Sequence, residues 1–154
     1  MNRSELQQLA EIRLRDAKAL LVTGENDAGA YYMAGYAVEC ALKAVIAKKW
    51  VSIVLDWSQD QLVDAYPERN NLILNKQEFY THNIRQLYRI AGLSDLLRIA
   101  RENDRVLDEN WKIVESWSEE SRYIITRSHS DSEELVNAVE DRTRGVLLWI
   151  EQYY

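Results

Sequence analysis

Leu6, Ala10, Leu14, Ala17 and Leu21 recur at spacings of four and three and stop at Gly24, which predicts a first helix from about residue 5 to residue 22. Ser4 with Gln7 supplies the capping-box pattern at its start. After Gly24-Glu-Asn-Asp27, the positions Tyr31, Ala34, Val38, Ala41 and Val45 repeat as a heptad-like seam, widened by Leu42 and Ile46. This second helix is the clearest element of the chain. Tyr32, Tyr36, Glu39 and Lys43 line another of its faces, and Glu39 with Lys43 forms a favourably oriented i,i+4 pair.

From Trp50 to Tyr80 the helical pattern dissolves, so residues 50–80 read as an irregular insertion, with Ser58 and Gln61 able to cap a short helix before Pro67. Asn83 with Gln86 then caps a brief helix carrying Ile84, Leu87, Ile90 and Ala91, closed by Gly92. Ser94 opens the next periodic stretch, and Leu107, Trp111, Val114 and Trp117 carry it toward Ser118 as one helix or two. Ser130 with Glu133, or Asp131 with Glu134, makes a capping box ahead of Leu135, Val139, Arg142, Val146, Trp149 and Tyr153. That seam predicts a last helix reaching nearly to the C-terminus.

Several helices with one apolar stripe each must bury those stripes against one another. The expected fold is therefore all-α, a single domain over residues 1–154 built as an up-and-down bundle of four to five main helices. One proline and five glycines in 154 residues are consistent with long helices and few hairpins. The single cysteine, Cys40, excludes an internal disulfide, and no charged-then-apolar leader opens the sequence, so a cytoplasmic, reducing location is expected. The apolar runs are too short for a membrane span, and no membrane association is expected.

The formal charge of −6 argues against coating nucleic acid through bulk electrostatics, although a local basic stripe could still grip phosphate. Arg98, Arg101 and Arg105 form such a stripe at spacings of three and four, with Glu102, Asp104 and Asp108 beside them; an ordinary solvated face is the competing reading. Histidines stand only at 82 and 129, so no Cys/His spacing closes a zinc site, and neither a metal nor a cofactor is expected. The pairs Glu119-Glu120 and Glu133-Glu134 point to different helix faces and read as solvated surface. Cys40, between small apolar residues, reads as an inert packing thiol. Tyr32 and Tyr36 could stack on a base or pack at a dimer surface, the latter being the usual use of tyrosines one turn apart. His82 reads as bonding backbone groups at a helix start, and Arg142, on an apolar seam, as pairing with Glu39 or another buried carboxylate or facing a dimer partner.

Gly35-Tyr-Ala-Val-Glu-Cys-Ala-Leu-Lys-Ala44 closely resembles the signature helix of the HEPN family, the "higher eukaryotes and prokaryotes nucleotide-binding" domains. Thr81-His-Asn-Ile-Arg-Gln-Leu-Tyr-Arg-Ile-Ala-Gly-Leu93 is similar to that family's short helix between His-Asp/Asn-Leu and Ala-Gly-Leu. Trp117-Ser-Glu-Glu-Ser-Arg-Tyr123 resembles its aromatic…Ala/Ser-Arg-Tyr segment before the last helix. The resemblance covers most of the chain except residues 50–80, which look longer than the usual connection. It implies a four- to five-helix bundle that homodimerises, often beside a minimal nucleotidyltransferase partner in a toxin–antitoxin or related complex. It also implies nucleotide or RNA as a ligand class, His82 included among the residues to test.

Some HEPN proteins are metal-independent endoribonucleases in which an arginine and a histidine, four to six residues between them, act on the RNA 2′-hydroxyl and scissile phosphate. Arg122 and His129, with six residues between them, match the long edge of that spacing. On a continuous helix, seven positions turn through about 700°, placing both on one face, with guanidinium to stabilise charge and imidazole to move a proton. Against this, Tyr123-Ile-Ile-Thr126 is rich in β-branched and aromatic residues and a cap follows His129, so a connection between helices is expected there. On that reading Arg122 caps a helix end or touches a dimer partner, and His129 lies in a solvated loop. Tyr123 after the arginine also departs from the polar residue usual in nuclease members. A purely structural oligomerisation domain is the third reading.

Overall fold

The computed structural model describes residues 2–55 and 81–154, which form seven α-helices and one 3-10 helix, with no strand among the described residues. In chain order they are α1 (Arg3–Thr23), α2 (Asp27–Leu55), α3 (Ile84–Ile90), α4 (Ser94–Asn103), α5 (Arg105–Glu115), the 3-10 helix Glu119–Tyr123, α6 (His129–Glu140) and α7 (Val146–Glu151). Helix α2 lies at the centre of the bundle and packs against α1, α3, α6, α7 and the 3-10 helix. Its backbone continues helically to Leu55, past Trp50 where the apolar period fades. The rest of the expected insertion, 56–80, lies outside the described residues.

The helix ends show where local chemistry decides. α1 starts earlier than Ser4: Asn2 Oδ1 accepts from the Glu5 N–H at 2.9 Å while the Asn2 N–H donates to Glu5 Oε2 at 2.8 Å. The capping box is thus Asn2–Glu5, and Ser4 instead accepts from the Gln8 side chain. Asn83 caps α3 as expected, its Oδ1 accepting from the Gln86 N–H at 3.0 Å. At the other end Gly92 adopts φ 76°, the Gly92 N–H donates to the Arg89 carbonyl and the Leu93 N–H to the Tyr88 carbonyl. Those two bonds are the Schellman pattern, which requires a left-handed residue and so favours glycine.

The stretch from Ser94 onward is two helices. Asp104 adopts extended backbone (φ −138°, ψ 103°) and its Oδ1 accepts from the N–H groups of Val106 and Leu107, capping α5. The final seam is also divided, contrary to the expected continuous helix. α6 is capped by Ser128, whose Oγ accepts from the Asp131 N–H at 3.1 Å, and it ends at Glu140. Asp141 Oδ1 then takes the N–H groups of Thr143 and Arg144 at 2.8 and 2.7 Å, an Asx-type turn that offers the backbone an alternative to the helix. Arg142 stands exposed on this turn, so it neither occupies the apolar seam nor pairs with Glu39. Arg144 closes the same corner onto Asp104 through an ion pair.

The core gathers around α2 and α5. Trp111, fully buried, meets Tyr88 and Trp149 edge-on with ring centroids 5.8 and 5.5 Å away. Just past α5 the indole of Trp117 lies so close over Gly35 of α2 that a Cβ there would sit 2.3 Å from the ring. Gly35→Ala must push the indole away or bend α2, so urea denaturation should show a loss of about 1–3 kcal/mol, typical of overpacking.

Caps also tie stability to pH. Asp104 is held below the ordinary carboxylate range first by the Leu107 N–H, helped by Arg144, and Asp141 first by the Thr143 N–H and then that of Arg144. A carboxyl whose folded pKa is depressed contributes stability above its unfolded value and loses it as pH falls through the folded one. Thermal unfolding at decreasing pH should therefore show the melting temperature falling once the solution drops below the normal carboxylate range. Asp104→Ala should lower the neutral-pH melting temperature and flatten that slope.

Candidate functional site

Both histidines of the chain are held by carboxylates of α2. Glu39, only 1% exposed, sits in the middle of the helix where every neighbouring turn is covered. Its Oε1 accepts from Lys43 Nζ at 2.7 Å and lies 2.9 Å from His82 Nδ1, while Oε2 lies 3.0 Å from the same nitrogen. The i,i+4 pair with Lys43 is the one the sequence spacing implies. The His82 partnership is not: the ring does not serve the α3 backbone, whose first N–H groups are met by Thr81 and Asn83, but reaches back to α2. An ionised carboxylate only accepts, so Nδ1 carries the proton and Nε2 is the nitrogen left without it, on a ring 40% exposed.

The second centre lies at the start of α2. Asp27 Oδ1 is 2.7 Å from His129 Nδ1, and His129, rather than lying in a loop, is the first residue of α6. Ser132 Oγ reinforces the junction by donating to the Asp27 carbonyl at 2.8 Å. Here too Nδ1 is the protonated nitrogen and Nε2 is free, on a half-exposed ring. Residues 27 and 39 are twelve positions apart, about 18 Å along a helix. The two histidines therefore belong to separate centres.

Arg122 lies in the 3-10 helix with its guanidinium 4.7 Å from the centroid of the Tyr123 ring. Tyr123, followed by the nearby Tyr32 phenol and Glu120 carboxylate, strengthens its hold on the proton. Its partner is thus an adjacent aromatic ring, whereas that of His129 is Asp27. The neighbouring Arg127, not singled out by any sequence pattern, covers the buried Tyr31 ring at 3.5 Å.

Tyr32 and Tyr36 stack on each other at 5.9 Å, Trp117 lies 6.1 Å from Tyr32, and Arg13 covers Tyr36 at 5.9 Å. Burial, then the charge of nearby groups including Glu39, raises the Tyr36 phenol above its ordinary value, and burial followed by Glu39 pushes the Cys40 thiol up to about 12. At neutral pH both stay protonated, and Cys40 is a packing residue with no nucleophilic character.

The arginine stripe is divided by Asp104: Arg98 and Arg101 are on α4, while Arg105 opens α5. Each already faces carboxylate. Arg98 binds Glu102 at 3.0 Å, Arg105 binds Glu109 at 2.9 Å, and Arg101 spans Asp108 at 2.6 Å and the buried Glu115 at 2.8 Å. Arg98 and Arg101 line an open cleft of about 440 Å³, but Glu102 and Asp108 line it too, so its field is mixed. Among the described residues no group of three His, Cys, Asp or Glu side chains could hold a metal ion, and no helix is long and apolar enough to cross a membrane. Comparison with family models, curated proteins and solved structures gives no match.

The Glu39 centre makes an asymmetric prediction. Glu39→Ala frees Lys43 and His82, both of which reach water, so its cost should be the lost bonds and packing, about 1–3 kcal/mol by chemical denaturation. Lys43→Met leaves the carboxylate buried with its fixed positive partner gone, and should cost about 3–5 kcal/mol. The double variant Glu39→Ala/Lys43→Met should be more stable than Lys43→Met alone.

Proposed function

We propose that this chain is a HEPN-like helical module that homodimerises and binds a minimal nucleotidyltransferase partner, with nucleotide or RNA as the ligand class. One observation carries the reading: the three segments on which the resemblance rests, far apart in sequence, meet around one helix. Glu39 of the first bonds His82 of the second, and Gly35 of the first receives Trp117 of the third. A chance likeness of three short strings would have no reason to make those residues contacts. Binding rather than catalysis is favoured because Arg122 and His129 have different partners, the Tyr123 ring and Asp27.

The module reading predicts that the protein co-purifies with a co-expressed minimal nucleotidyltransferase encoded beside it and leaves RNA intact in EDTA. Failure to bind either that partner or any nucleotide overturns it.

The Asp27–His129 bond favours one alternative, a metal-independent endoribonuclease. A carboxylate on Nδ1 fixes the tautomer and leaves Nε2 as a base for a 2′-hydroxyl, with Arg122 to stabilise charge on phosphate. In that case RNA is cleaved in EDTA, and Arg122→Ala or His129→Ala lowers the rate by roughly a hundredfold or more with the circular-dichroism spectrum unchanged. Undiminished cleavage in both variants excludes it.

A further inference from the structure

Asp27 opens α2 and His129 opens α6, and the two side chains meet, so two helices begin at one place. The junction is held from both sides. Asp27 Oδ1 lies 2.7 Å from His129 Nδ1, the Asp27 side chain is only 16% exposed, and Ser132 Oγ donates to the Asp27 carbonyl at 2.8 Å. Because the carboxylate keeps the proton on Nδ1, Nε2 keeps its lone pair, which has no partner among the described residues and belongs to a ring 53% exposed. A histidine oriented in this way is a nucleophile as well as a base. The backbone N–H groups of Asp27, Ala28, His129 and Ser130, the first of each helix, also have no partner among the described residues. His82 lacks this setting: Glu39 holds its Nδ1 from mid-helix with both oxygens, and the N–H groups of Asn83 and Gln86 beside it are taken by Thr81 and Asn83.

We propose that His129 is a phosphoryl acceptor, taking a phosphoryl group onto Nε2 from a donor whose phosphorus is bound to nitrogen, such as a phosphohistidine of another protein. This function goes beyond the module reading and does not depend on it. The Nε2 lone pair attacks phosphorus, and the new P–Nε2 bond forms as the donor's P–N bond breaks. The electron pair of that bond leaves with the donor nitrogen, which takes a proton from water; nothing is oxidised or reduced. The Nδ1 proton stays in the bond to Asp27, whose charge offsets the positive charge the ring acquires. The unspent N–H groups and the positive ends of two helices favour an anionic phosphoryl group over a neutral acyl one. Two carboxylates stand near it: Asp27, whose charge is committed to Nδ1, and Asp131, which the Arg127 guanidinium approaches to 4.0 Å. Ribonuclease chemistry at the same nitrogen leaves no covalent adduct, whereas phosphoryl transfer does.

Potassium phosphoramidate, incubated with the full chain and followed by intact mass and phosphorus NMR, tests this. The expected product is a single phosphoryl group on Nε2, released by acid and resistant to hydroxylamine, formed about tenfold or more faster than on free N-acetylhistidine. His129→Gln should abolish it, and His82→Gln should leave its rate unchanged, both with the wild-type circular-dichroism spectrum. Asp27→Asn, which keeps the shape of the side chain without its charge, should slow labelling roughly tenfold. Asp27→Ala, which also frees Nδ1, should spread the group over both ring nitrogens, a signature that loss of packing alone does not give. Labelling no faster than that of N-acetylhistidine, labelling that persists in His129→Gln, or an Nε2-only product at the wild-type rate in both Asp27 variants overturns the assignment.

Discussion

A helix covered on nearly every side must account for any charge it carries, and α2 carries Glu39 in its middle. The carboxylate cannot reach water, so its cost of burial has to be offset by bonds within the protein. Lys43, one turn on, supplies one from the same helix. His82 supplies the other from the far side of residues 56–80, and in doing so fixes where α3 begins relative to α2. From α3 the chain is committed: the Schellman turn at Gly92 leads into α4, Asp104 redirects it into α5, Trp111 packs α5 against Tyr88 of α3 and Trp149 of α7, and Trp117 returns the chain to Gly35 of α2. The buried ion pair is a weak source of net stability. Its strength is positional, because few other arrangements of these segments would satisfy the carboxylate.

How much of this was legible in the sequence follows from how local each cause is. The seams of α1, α2 and α3, the Asn83 cap, the Gly92 stop and the Glu39–Lys43 pair depend on residues within a turn or two of one another, and the spacing carried them. The last seam failed for the same reason read in reverse. Leu135, Val139, Val146 and Trp149 keep a helical period, yet Asp141 can satisfy the N–H groups of Thr143 and Arg144 with its own side chain, and that competing turn interrupts the helix between them. Arg142 was consequently placed on a seam that does not exist at that residue. The arginine stripe misled in a similar way, since counting by threes and fours across Asp104 assumes a continuous helix.

The candidate centres were half legible. Both histidines stood out by their rarity, but their carboxylates lie 43 and 102 residues away in sequence, and no periodicity connects them. Nothing in a one-dimensional pattern assigns a buried carboxylate its long-range partner; that choice belongs to the packing. Arg127 was missed because its partner is an aromatic ring inside the core, with only a distant carboxylate beside it.

The same distinction bears on the connection after Tyr123. Its strand-forming composition sits in a chain with no sheet to join among the described residues, a conflict between local preference and global fold that a well-folded sequence normally avoids. Solvation can satisfy its backbone groups but gives no return for exposing Ile125. Such conflicts concentrate at surfaces whose partner is missing from the isolated chain. The same composition that argued against one helix running from Arg122 to His129 thus has a positive meaning once the neighbours are known. It breaks the helical path between Arg122 and His129 and leaves Ile125 on the surface of the isolated chain.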